Sequence, residues 1–91
     1  MKWSELKTEI NSLSQEEKAE LELMDAIAFV RKQKHLTQEQ LARKVNLTQA
    51  QVARVENLSY KPSLETLTKI LGGLELDLAL IDRATGEIVR V

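Results

Sequence analysis

Side chains able to make or break covalent bonds are scarce in this chain, whereas side chains able to read a hydrogen-bonding surface are plentiful. His35 is the lone histidine, in the polar run "KQKHL", and there is no cysteine. Thiol catalysis, thiolate metal ligation and disulfides are therefore excluded. Gly72-Gly73 closes a helical pattern, where it reads as a helix terminus rather than a phosphate cradle. What remains is Gln38, Gln40, Gln49 and Gln51, with Thr37, Thr48 and the cations Arg43, Arg54 and Lys61. A carboxamide carries a donor and an acceptor side by side, and a guanidinium carries a fork of donors, so both suit planar polar edges and anionic oxygens. The expectation is a non-enzyme without metal or cofactor.

These residues sit in a doubled stretch, "LTQEQLARKVNLTQAQVARVEN", Leu36 to Asn57. LTQ-EQ-LAR returns as LTQ-AQ-VAR. Each box is a helix start: the Thr hydroxyl accepts a backbone N–H at the third helical position, and the Gln there returns the bond. Thr37 pairs in this way with Gln40, and Thr48 with Gln51. A cap marks a beginning, so two caps predict two short helices, Thr37 to Val45 and Thr48 to about Glu56. Asn46 tolerates positive φ and suits the sharp turn between them. Leu41 and Val45 face inward from the first helix, Val52 and Val55 from the second. Leu47 sits in the turn, and Ala42 is small where the helices approach. This is a helix-turn-helix layout; a generic bundle of capped helices is the plainer alternative.

The flanks position this unit. Trp3, Leu6, Ile10 and Leu13 have helical spacing. Ser14 and Glu17 form an S-x-x-E capping box, from which a stripe through Leu21, Met24, Ile27, Ala28, Val30 and Arg31 runs to about Lys34. Tyr60 falls in the loop "NLSYKPS", and Phe29 reads as core or dimer surface. Ser63 caps a further helix with Leu64, Leu67, Ile70 and Leu71 on one side. The tail then changes period: Leu76, Leu78 and Leu80 alternate with Asp77, Ala79 and Ile81, a strand pattern, and "IVRV" after the turn-like "DRATGE" suits a second strand. A lone hairpin is unstable in water, so this element requires another edge, most simply from a second copy.

Charge is unevenly placed. The 91 residues carry a net −1, yet residues 1–25 hold three Lys against seven Asp/Glu, residues 26–62 hold seven Lys/Arg against two Glu, and residues 63–91 hold three Lys/Arg against five Asp/Glu. A net +5 middle thus lies between ends of −4 and −2. One face suited to phosphate is the functional reading, and a solvated surface the bland one. No apolar run approaches the roughly 18 residues of a membrane span, and a cytoplasmic protein is expected.

Residues 23–71, through "LTQEQLARKVNLTQAQVARVEN" and "KPSLETLTKIL", resemble the Cro/phage-repressor helix-turn-helix family, also called the XRE family. Asn46 stands where that family commonly has Gly. The resemblance implies a mainly α, five-helix Cro/repressor-like fold: an N-terminal helical extension (1–22), a helix-turn-helix domain (23–74) and a C-terminal strand or hairpin (75–91) used in dimerisation through Leu76, Leu78 and Leu80. It implies that the second helix of the motif enters the major groove of double-stranded DNA. Gln49 would then read a base, Ala50 a thymine methyl, and Gln51 and Arg54 bases or phosphates. Gln38 and Thr48 would hold phosphate, with Arg43 and Lys61 adding charge. On this reading Gln38→Ala weakens binding alike on all sequences, whereas Gln49→Ala changes base preference. In similar repressors an Arg and a Glu at positions 31 and 56 form a structural ion pair.

The ends also resemble antitoxins, the tail those of the HipB kind and the leading helix those of the HigA kind. That likeness implies a homodimer that represses its own operon and a toxin partner, RelE/HigB-like or HipA-like. An acidic N-terminal segment suits a basic toxin, with Trp3, Leu6, Ile10 and Leu13 as anchors. A stand-alone XRE-type regulator, or an interaction module that has lost DNA binding, are the rival readings.

Overall fold

The computed structural model describes residues 14–90, so the helix expected around Trp3, Leu6, Ile10 and Leu13 lies outside the described residues. Four helices and a hairpin follow: α1 (Gln15–Gln33), α2 (Gln38–Lys44), α3 (Gln49–Glu56), α4 (Leu64–Gly73), β1 (Ala79–Ile81) and β2 (Ile88–Arg90). α1 passes unbroken through the boundary expected at residues 22 and 23. No helix among the described residues is long and apolar enough to cross a membrane.

Every helix starts on the residue the sequence marks. Ser14, Thr37, Thr48 and Ser63 each accept a backbone N–H three residues on, and the first three are complete capping boxes closed by Glu17, Gln40 and Gln51. Every helix also stops alike. The N–H two residues past the cap returns to the carbonyl five residues before it, as in Leu36 to Arg31 (3.1 Å) and Leu47 to Ala42 (2.8 Å). The residue between adopts positive φ: His35, Asn46, Leu58 and Glu75, at 56–59°. This closure satisfies carbonyls that the helix itself leaves orphaned. Asn46 was legible as such a turn, and His35 shares a weaker preference for it; Leu58 and Glu75 were not legible, because their side chains carry none.

The core joins all four helices: Met24 and Ile27 from α1, Leu41 and Ala42 from α2, Val52 and Val55 from α3, and Ile70, Leu71 and Leu74 from the end of α4. α2 packs chiefly on α3. Phe29, expected in the core or on a dimer surface, is 60% exposed and so outside the core, and Leu64 is 68% exposed at the first turn of α4, beyond the reach of the core. Gly72-Gly73 ends the helix, as expected, with Leu74 as its C-cap. Gly73 has a second role: it is buried where α4 crosses α2, so close that a β-carbon would overlap Val45 Cγ1 and touch Leu41 Cδ1.

β1 and β2 pair antiparallel with Ala79 opposite Arg90, Leu80 opposite Val89 and Ile81 opposite Ile88. An aspartate turn closes the hairpin: Asp82 Oδ1 accepts from Ala84 N at 2.8 Å, and Gly86 takes φ 75°. The strand is shorter than the alternation predicts, because Leu76 is drawn against the core. Ala79, Ile81 and Ile88 line an apolar groove of about 310 Å³ with Leu23, Ala26 and Val30 of α1. Leu80 and Val89 stand on the opposite, outer face, since cross-strand partners share a face.

The two adjacent glycines separate by experiment. Gly72→Ala, with open space around it, is expected to stabilise the fold by about 0.5–1 kcal/mol. Gly73→Ala is expected to destabilise it by about 1–3 kcal/mol through overpacking. Urea unfolding of both variants checks the contrast.

Candidate nucleic-acid interface

Arg31 occupies a position of the α1 stripe that points into the protein, and it is 7% exposed. Its Nε donates to Glu56 Oε2 at 2.6 Å and its Nη2 to Glu56 Oε1 at 3.0 Å; Nη1 donates to the Leu36 carbonyl at 2.6 Å. This is the Arg31–Glu56 pair implied by the resemblance. Glu56 ends α3, where a negative charge opposes the helix dipole, so the guanidinium offsets both that repulsion and the burial of the carboxylate. No buried side-chain polar atom among the described residues lacks a partner.

The same carboxylate sets the polarity of everything outward of it. Glu56 Oε1 also accepts from Gln38 Nε2 at 3.1 Å, and Gln38 Oε1 accepts from Gln49 Nε2 at 2.7 Å. A guanidinium has only donors and a carboxylate only acceptors. Gln38 must therefore turn its NH₂ to Glu56 and its carbonyl to Gln49, which in turn directs its own NH₂ to Gln38. The Gln49 carbonyl and one N–H are left facing outward from the first turn of α3. The two glutamines expected to work separately are thus bonded to each other across the helix crossing.

The remaining glutamines are occupied. Gln40 Oε1 accepts from Thr37 N, and Gln51 Oε1 from Thr48 N, both at 2.8 Å. The Thr48 hydroxyl accepts from Gln51 N at 3.1 Å. Capping accounts for one glutamine of each box; the other joins the chain of bonds from Glu56, Gln38 half-buried within it and Gln49 exposed at its outer end. Thr37, Gln38, Glu39 and Gln49 line one open depression at the N-terminal ends of α2 and α3. Ala50 and Arg54 are exposed on α3. Arg43 is exposed on α2 but bound to Glu39 at 2.6 Å, and Lys61, in the loop after α3, is bound to Glu20 of α1 at 3.2 Å. The Glu39–Arg43 spacing was readable as an i,i+4 pair. The Glu20–Lys61 and Gln38–Gln49 contacts had no sequence signal, since both join separate elements.

The helix-turn-helix family model HTH_3 matches residues 27–81 of the 91. The chain belongs to this XRE-type helix-turn-helix family. The chain is similar to one in a HipA–HipB–O2–O3 complex, at 38% identity and a TM-score of 0.65 over 69% of this chain and 89% of that one. It is equally similar to one in a HipB–O1–O2 complex, at 38% identity and 0.65, covering 69% and 91%. A HipB–O4 20mer complex gives 39% identity and a TM-score of 0.63 over 67% and 86%. No curated protein sequence matches the chain.

The buried pair has a measurable signature. Arg31→Met is expected to cost about 3–5 kcal/mol in denaturant unfolding, because it strands the Glu56 carboxylate. Arg31→Met combined with Glu56→Leu should recover most of that loss; a single variant as stable as the wild type would show that the pair holds nothing together.

Proposed function

We propose that this protein is a sequence-specific DNA-binding repressor of the HipB kind, acting as a cytoplasmic antitoxin that restrains a HipA-like toxin and represses its own operon. The observation that carries the DNA-binding part is the oriented amide of Gln49. Its free carbonyl and N–H match adenine N6 and N7 in the major groove, and the amide is held in that sense by a chain of bonds that begins at a buried ion pair. Thr37 and Gln38 beside it suit phosphate positioning, and the α3 N-terminus, with no acidic residue in its first turn, suits an anion. Arg54 adds a base or phosphate contact one helical turn on, and Ala50 a thymine methyl.

The antitoxin part rests on likeness to HipB in a complex that also contains HipA. Dimerisation rests on the hairpin. Leu80 and Val89 are exposed on its outer face although they pair in a two-stranded sheet too small to persist alone. A second copy covering that face supplies the missing layer and presents two α3 helices to a two-fold operator. Leu76 leaves the expected dimer set, because it packs on its own core.

Selection of a binding site from random duplexes should return a two-fold sequence. On it, Gln49→Ala is expected to relax base preference at one position per half-site, at a cost of about 1–3 kcal/mol in discrimination. Gln38→Ala should shift the same preference as well as weaken binding, since it releases Gln49; an exclusively uniform loss would show that the two amides act independently. Leu80→Glu/Val89→Glu should sediment as a monomer at micromolar concentration, and a persistent dimer refutes the hairpin interface. Co-expression with the neighbouring reading frame tests the toxin: a stable complex and rescue of growth are expected, whereas a free homodimer without rescue favours a stand-alone regulator.

A further inference from the structure

Three cations of the middle segment, Arg43, Arg54 and Lys61, are placed to meet DNA if α3 enters the major groove. Two of the three are already held by carboxylates of the same chain. Glu39 Oε1 lies 2.6 Å from Arg43 Nη2, and Glu20 Oε1 lies 3.2 Å from Lys61 Nζ. Arg54, on α3, has no carboxylate partner among the described residues. The pairing therefore separates the cations by task. The one carried by the helix that reads bases is free, and the two that would grip any backbone are neutralised.

We propose that Glu39 and Glu20 are specificity-determining residues that stand in for phosphate on Arg43 and Lys61 and so suppress binding to DNA of arbitrary sequence. The proposal rests on the DNA-binding reading. Backbone charge contacts supply nearly all non-specific affinity and carry no sequence information. Each carboxylate removes one such contact and also repels the approaching phosphate. Exposed ion pairs of this kind are weak, so a duplex docked correctly by Gln49 and Arg54 displaces the carboxylates, whereas a transient encounter does not. Glu39 makes the effect local, since it lines the same depression as Gln38 and Gln49. The balance also accounts for a DNA-binding chain with a net charge of −1: its basic middle is masked where it would otherwise bind indiscriminately.

The test compares the full-length protein on a duplex recovered by site selection and on a 30-bp duplex of random sequence, by fluorescence anisotropy across a salt series. Glu39→Gln and Glu20→Gln are each expected to tighten random-duplex binding about two- to fivefold. The log–log salt slope should steepen by about 0.9 for each phosphate newly engaged. Affinity for the selected duplex should rise less, so the specificity ratio falls. Adding Arg43→Gln to Glu39→Gln should cancel the gain. Glu87→Gln, which removes the same charge from the hairpin turn, should leave random-duplex binding unchanged. If Glu87→Gln tightens it equally, the effect is overall charge and the proposal fails. If the wild type prefers its selected duplex but neither Glu39→Gln nor Glu20→Gln moves the random-duplex constant, the masking proposal alone is overturned. A wild type that binds neither duplex overturns the DNA-binding reading and this proposal together.

Discussion

A guanidinium and a carboxylate removed from water tolerate very little slack, and the Arg31–Glu56 pair fixes three elements at once. Arg31 holds the end of α1 through its own chain at the Leu36 carbonyl, and the end of α3 through Glu56. Glu56 then holds the start of α2 through Gln38. Loss of either charge strands the other in a site that cannot solvate it, which makes this the most costly polar contact to break. It is also the origin of the donor–acceptor order that reaches the surface at Gln49. Stability and the presentation of the reading amide are thus two consequences of one buried interaction.

Around that pair the fold is assembled from a repeated local device. α2 and α3 are too short, at 7 and 8 residues, to be stable as isolated helices. Side-chain caps at the starts and left-handed turns at the ends satisfy their orphaned backbone groups. The small core then supplies what propensity cannot. The device leaves the helices interchangeable in construction but not in use: Gln38 is half-buried at a crossing, whereas Gln49 is exposed at the first turn of α3.

Surface charge is likewise set by pairing. Arg43 and Lys61 are paired with Glu39 and Glu20, whereas Arg54 has no carboxylate partner among the described residues. Surface apolar area is concentrated in the hairpin and the adjoining flank of α1, for the opposite reason: it is left uncovered because the two strands cannot bury it between themselves.

The amino-acid sequence by itself determined every helix start, because a cap is a contact between residues three apart and needs no tertiary partner. It also determined the break at Asn46, the core positions Leu41, Val45, Val52 and Val55, and the change to strand period after Leu76. The ion pair between positions 31 and 56 was legible only through family resemblance, since 25 residues separate its members. Other features were decided by how the elements cross. Gly73 reads as a helix stop, which it is, but its second role, admitting Val45 at the α2–α4 crossing, has no local signal. Leu64 reads as core, and Phe29 as core or dimer surface, until the reach of the core is known. Leu76 reads as strand until it packs inward. Gln38 and Gln49 read as two independent copies of one motif. Only the α2–α3 crossing brings their amides to 2.7 Å, because a hydrogen bond between separate helices depends on their relative placement, which no local pattern encodes.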